Sequence, residues 1–163
     1  MKNIARELRV TVDEVSRVLS RMKDGDASKK DRAEEWSKKE ILGHLIDSAA
    51  NNHQRFVRAA YCAAREFPAY NQNEWVLIQR YHESDWANLI ALWSAYNRHL
   101  SHVIERIPEE AWSSPCNIGR GEQVPLELVV KDYLRHLRHH VTDILKEEMD
   151  QGVLYGSCLD GRK

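Results

Sequence analysis

The sequence predicts an all-α fold, a four-helix bundle of antiparallel helices whose long connections cap one end. Three observations carry that expectation. Four segments place apolar residues at helical spacing along one stripe; the connections between them are polar or marked by Pro and Gly; and no run alternates with the period of a strand. The expected helices cover roughly residues 2–22, 37–66, 85–107 and 125–148, within one domain spanning 1–163.

In the first segment Ile4, Leu8, Val12, Val15, Leu19 and Met22 share a face. The charged stretch KDGDASKKDRAEE that follows reads as a solvated linker. The second helix announces its start: Ser37 and Glu40 have the spacing of a capping box, in which each side chain satisfies an orphan backbone N–H, with Trp36 and Ile41 placed for a hydrophobic staple. Ile41, Leu45, Ser48, Asn52, Phe56 and Ala59 then fall on one face until Pro68 forbids continuation. The third helix opens at Ser84 and Asp85, carries Trp86, Ile90, Trp93, Asn97, Leu100, Ile104 and Ile107 in a seven-residue repeat, and closes before Pro108. The fourth begins at Pro125, a residue suited to a first helical position, and its stripe is Leu126, Val130, Tyr133, Leu137, Val141 and Ile144. Its acidic residues Glu147 and Glu148 lie where the macrodipole prefers cations, so that boundary is soft.

The connections 67–84 and 107–124 exceed what a plain up-down bundle needs, and are expected to fold over one end. Tyr70, Trp75, Gln79, Tyr81 and Trp112 within them either line a pocket mouth or plug the bundle end.

Composition narrows the function classes. Charged residues are 30% of the chain, yet the formal net charge is only −1, which argues against a domain built to grip nucleic acid or an anionic membrane. Cys62, Cys116 and Cys158 are an odd number without metal-type spacing and read as free thiols in a reducing compartment. No signal-peptide h-region and no membrane-length apolar run occur, so the expected location is cytoplasmic. The expected partners are a small-molecule substrate and, at most, a second copy of the chain as a homodimer; neither nucleic acid nor membrane is among them.

Among eight histidines, His136 and His140 stand apart. Four residues apart on a helix, their rings project from one face a turn apart, a geometry that chelates a metal; His139 points elsewhere. His44 occupies the matching flank of the second helix, and two such helices can converge on one ion. Spacing alone also admits histidines satisfied by hydrogen bonds or by solvent. Ser48, Asn52 and Asn97 sit where apolar residues would pack better, and either line a pocket or hold helix register.

WSKKEILGHLIDSAANNHQRF, NEWVLIQRYHESDW and DYLRHLRHHVTDIL together resemble the DinB-like superfamily, in the expected order and over nearly the whole chain. The resemblance implies a four-helix bundle with a divalent metal held by His44 from the second helix and by His136 and His140 from the last. It implies a metal-dependent enzyme that activates water or a low-molecular-weight thiol, as a hydrolase or a thiol-dependent transferase. Transferase branches follow the last histidine with an Arg-Gly-Gln-like run, and here Val141, Thr142 and Asp143 stand in that place. Three imidazoles leave open coordination positions; zinc, nickel and iron all suit them. Asp47 and Asp132, each a helical turn from a ligand, are the nearest candidates to accept the second imidazole N–H. The rival class is a non-catalytic metal-binding or dimerisation bundle.

Residues 4–18 also resemble the helix-turn-helix of LacI-type repressors. Its turn wants a glycine where Arg9 stands, and Asp13 and Glu14 would face phosphate, so one continuous helix is the expectation.

Overall fold

The structure, a computed structural model, describes residues 1–61, 66–119 and 121–150, with side chains up to residue 146. Cys62, Cys158 and the side chains of Glu147 and Glu148 lie outside that description. Among the described residues the chain is all-α apart from one small hairpin. Its long helices are α1 (Lys2–Leu19), α3 (Lys38–Tyr61), α5 (Trp86–Arg106) and α6 (Leu126–Asp150); α2 (Asp24–Ala27) and α4 (Gln72–Gln79) are short. Among the described residues, no helix is long and apolar enough to cross a membrane.

The stripes expected from the period are the core. Leu8, Val12, Val15 and Leu19 of α1, Trp93, Leu100 and Ile104 of α5, and Leu126, Val130, Leu137, Val141 and Ile144 of α6 are buried against one another. The capping box closes as expected: Ser37 N–H donates to Glu40 Oε2 at 2.8 Å, and Glu40 N–H donates to Ser37 Oγ at 3.3 Å. Asp85 caps α5 through Asn88 N–H at 2.9 Å. Helix α1 is continuous through Arg9, which pairs with Glu105, while Asp13 pairs with Arg98; no helix-turn-helix interrupts it.

The helix order is less simple than the helices. Helix α1 packs on α5 and α6, and α3 packs on the same two. The Trp86 indole N–H reaches Leu19 O at 3.0 Å and Ser101 Oγ reaches Ala5 O at 2.9 Å, so α1 and α5 are antiparallel. His44 meets His140, and Phe56 meets Tyr133, so α3 and α6 are antiparallel too. Helices α3 and α5, by contrast, point the same way. Lys39 and the backbone N–H of Trp86 share Asp24, at 2.7 and 3.0 Å, and a dozen residues further along His53 lies against Tyr96 and His99. The stretch expected to be a solvated linker therefore ties three helices together through Asp24, and Ala27 of α2 is wholly buried.

Parallel neighbours oblige the chain to travel back along the bundle. The connection does so beside α3: Phe67 N–H bonds Asn117 O, α4 follows, and Gln79 and Tyr81 arrive at Asp47 in the first half of α3. Arg80, at φ 51° and ψ 46°, turns the chain from α4 into the 3₁₀ turn Tyr81–Glu83. The second connection holds a 3₁₀ turn (Glu109–Ser113) and an antiparallel hairpin, β1 (Pro115–Asn117) with β2 (Gln123–Pro125), in register Cys116 opposite Val124. Strands of three residues are too short to show alternation, which is why the sequence did not announce them. Pro125 ends β2 and does not open the helix, which begins at Leu126. Gly119, at φ 83°, lets the hairpin turn press on Ala69, whose backbone lies 2.7 Å from where a Cβ would stand.

Candidate metal centre and adjoining cleft

Position 43 decides how the site is built. A Cβ there would lie 2.1 Å from the Tyr81 ring, so only glycine lets the segment after α4 close on α3 at this level. With Tyr81 seated, its hydroxyl donates to Asp47 Oδ1 at 2.7 Å and Gln79 Nε2 donates to the same oxygen at 2.6 Å. One residue beyond the glycine, His44 is 1% exposed and turns inward against the Trp36 ring, 5.2 Å between centroids.

From α6, His136 and His140 meet it. Ligand atoms of His44, His136 and His140 all lie within 4.8 Å of one another. His44 Nε2 and His136 Nε2 are 3.2 Å apart, and the three rings stand edge to face at centroid distances of 4.6 to 5.1 Å. Tetrahedral coordination at about 2.0–2.1 Å would hold neighbouring nitrogens about 3.3 Å apart, so the spacing fits an ion. The same distance suits an N–H···N hydrogen bond when no ion is bound.

Burial is the main influence on these imidazoles, because it disfavours the charged form. It brings the His44 pKa down to about 3, with the His136 and His140 charges adding to the effect. It brings His136 down to about 4, opposed by the Asp132 carboxylate. His140 is lowered as well, with Asp143 opposing. At neutral pH all are neutral, the state that binds a metal. His44 Nδ1 and His136 Nδ1 are buried without a hydrogen-bond partner among the described residues.

Of the two carboxylates expected behind the histidines, Asp47 falls differently and Asp132 stays close enough to act on His136. Asp47 turns to Tyr81 and Gln79, not to a histidine; burial raises its pKa against those two hydrogen bonds. Asp132 accepts from Arg135 Nε at 3.1 Å and reaches His136 through its charge. Asp143 also meets the cluster, 3.3 Å from His140 Nδ1, which leaves Nε2 of that ring for the centre. Its i,i+3 spacing was the available sequence signal.

A cleft of about 220 Å³ opens beside His44 and His136. Ser48 and Asn52 line it, as do Arg55, Tyr70, Asp132 and Tyr133. Asn97 does not: fully buried, it donates to Trp93 O at 2.9 Å and accepts from the Tyr133 hydroxyl at 2.5 Å, thereby orienting a residue that does line the cleft. Trp75 is 37% exposed and rests on Tyr70, 5.0 Å between ring centroids, outside the lining. Trp112 lies by Met1 and Ile107, away from the histidines. Sequence reasoning passed over Arg55, although it extends the series His44, Ser48, Asn52 along the same face of α3.

Comparison with known proteins agrees with this architecture. The sequence profile of the DinB superfamily matches residues 7–144. Among solved structures the chain is similar to YfiT from Bacillus subtilis, a "probable metal-dependent hydrolase with an unusual four-helix bundle topology", with a TM-score of 0.81 and 17% identity over 92% of this chain and 86% of that one. It is also similar to a mycothiol-dependent maleylpyruvate isomerase, with a TM-score of 0.71 and 18% identity; the match covers 87% of this chain but only 59% of that one. At such identities the likeness is one of fold. No curated protein matches the chain.

Proposed function

The chain belongs to the DinB superfamily, and on that footing we propose that it is a metal-dependent enzyme, with His44, His136 and His140 as ligands of one divalent ion. The observation that carries the reading is the convergence of three desolvated imidazoles from α3 and α6, with Nε2 atoms of two of them 3.2 Å apart. The two structural relatives, one described as a metal-dependent hydrolase and one as mycothiol-dependent, support a metal and a small-molecule substrate.

A divalent ion at this point supplies Lewis acidity, lowering the pKa of a bound water or thiol towards neutrality. Zinc, nickel and iron all suit three imidazoles. The chain's own groups do the rest. Asp143 holds His140 with Nε2 directed inward, and Trp36 closes the outer side of His44. Ser48, Asn52 and Tyr133 offer hydrogen bonds along the cleft, with Tyr70 as part of its wall. Water is the favoured nucleophile, because Val141, Thr142 and Asp143 replace the Arg-Gly-Gln-like run of the thiol-dependent transferases and Asp143 is committed to His140.

The test is a cobalt-substituted protein. One equivalent of cobalt and a visible spectrum that changes with azide or imidazole are expected. A response to a small thiol at comparable concentration would favour the transferase-type reaction. A spectrum indifferent to every added ligand would mark a closed structural metal and end the enzyme reading.

A further inference from the structure

Beyond the cleft, a second hollow of about 470 Å³ continues between α6 and the β1–β2 hairpin. Ile118, Val129 and Asp132 line both, so the two form one continuous depression. Spacing along α6 sets its course: Val129, Asp132 and His136 recur at i, i+3 and i+7 on one face, and Leu128 lies on the flank next to them. At a rise of 1.5 Å per residue, Leu128 stands about 12 Å along the helix from His136. Formal charge does not choose the occupant of the groove. In its lining Lys131 and Arg135 are balanced by Glu122 and Asp132; Lys131 also pairs with Glu127, and Arg135 with Asp132. The feature without a counterpart is apolar surface. Leu128 is 49% exposed, and Ile118 and Val124 of the hairpin are half-buried beside it. A single exposed leucine is ordinary, whereas one that adjoins two half-buried aliphatic side chains next to a candidate centre makes a contiguous patch.

We propose that this groove is a tail-binding subsite of the histidine centre, and that the substrate is an amphipathic small molecule. Its polar head lies at His44 and His136, and an uncharged aliphatic tail passes Ile118 and Val129 to rest on Val124 and Leu128. Such a tail gains by removing apolar area from water, on itself and on the groove, and needs no directed partner. Continuity with the cleft through three shared residues assigns the groove to the same ligand, and its volume suits a molecule of metabolite size. The inference rests on the metal reading above, and its test separates the two.

Acetohydroxamate and its straight-chain homologues up to octanohydroxamate are the probes, because the head chelates a metal while the tail lengthens. Titrated calorimetrically into cobalt-loaded wild type, they should gain about two- to fourfold in affinity per methylene until the tail outruns Leu128. Leu128→Asp places an acidic residue in the first turn of α6, where the macrodipole favours it. It should weaken octanohydroxamate at least about tenfold and leave acetohydroxamate binding, cobalt content and melting temperature unchanged. Leu92→Asp, at a comparably exposed leucine of α5, should change neither affinity. Affinity independent of chain length in wild type, or an undiminished length dependence in Leu128→Asp, would overturn the subsite while leaving the metal intact. Failure of wild type to load cobalt would sink the metal reading alone, because metal-free protein still answers through its methyl NMR signals. There 1-octanol should shift the signals of Val124 and Leu128 and not that of Leu92, and a lack of such selectivity would overturn the subsite.

Discussion

Two groups of histidines sit on α3, and they make a controlled comparison. On the side facing α6, His44 is fully enclosed and meets His136 and His140 with ligand atoms within 4.8 Å. On the side facing α5, His53 bonds the Tyr96 hydroxyl at 3.3 Å and lies 5.1 Å from the His99 ring, which in turn stacks on His102 at 6.3 Å. Both groups join residues of two helices, yet only the first converges. The difference is burial. His99 and His102 are exposed to solvent, whereas His44 Nδ1 and His136 Nδ1 are buried without a hydrogen-bond partner among the described residues. Desolvation keeps the inner imidazoles neutral, the form that binds a metal, and their ligand atoms converge as an ion would need, whereas the outer group lacks that convergence.

The sharpest way to break the comparison is to remove one member of each group. His44→Ala, His136→Ala and His140→Ala should each weaken metal binding by more than about 100-fold, since loss of a direct ligand exceeds the effect known for residues behind one. His53→Ala and His139→Ala should retain one equivalent by elemental analysis. Equal loss in the His139 variant would show that the inner site is misassigned.

Acid tests the burial argument itself. The folded pKa values of His44 and His136, about 3 and about 4, lie below the unfolded value near 6.5. Between those limits the unfolded chain takes up protons that the folded chain refuses, so the metal-free bundle should lose stability as pH falls from about 6.5 towards 4. Bound metal should be released in the same direction, because protons compete for the ligands, and its loss should lower the melting temperature. A melting temperature flat across that range in chelated protein would contradict the depressed values.

Smaller effects sharpen the site's surroundings. Gly43→Ala must displace the Tyr81 ring and with it the Tyr81–Asp47 hydrogen bond, at a cost of about 1–3 kcal/mol read from denaturant unfolding. Asp143→Asn should weaken metal binding by about 10–100-fold without such a stability loss, whereas Asp47→Asn should lower stability more than metal affinity. Last, His53→Ala should shift stability by no more than about 0.5 kcal/mol, the range of an ordinary surface change.

What the sequence determined is what local periodicity can carry. The stripes of α1, α3, α5 and α6, the Ser37–Glu40 cap, and the placement of His44, His136 and His140 beside apolar stripes all follow from spacing along a helix, which depends only on near neighbours. Period says which face of a helix is apolar but not which helix it will meet. The parallel run of α3 beside α5, the return of α4 along α3 and the hairpin of β1 and β2 were therefore decided by packing and chain closure. The same limit divided the polar residues. Ser48 and Asn97 look alike as polar breaks in a stripe, but the first lines the cleft and the second is claimed by Trp93 and Tyr133. Asp47 and Asp143 are both a turn from a histidine; Tyr81, brought in from a distant segment through the gap at Gly43, took the first and left the second for His140. A side chain's nearest partner in space comes from another element, and only the tertiary structure brings that element within reach.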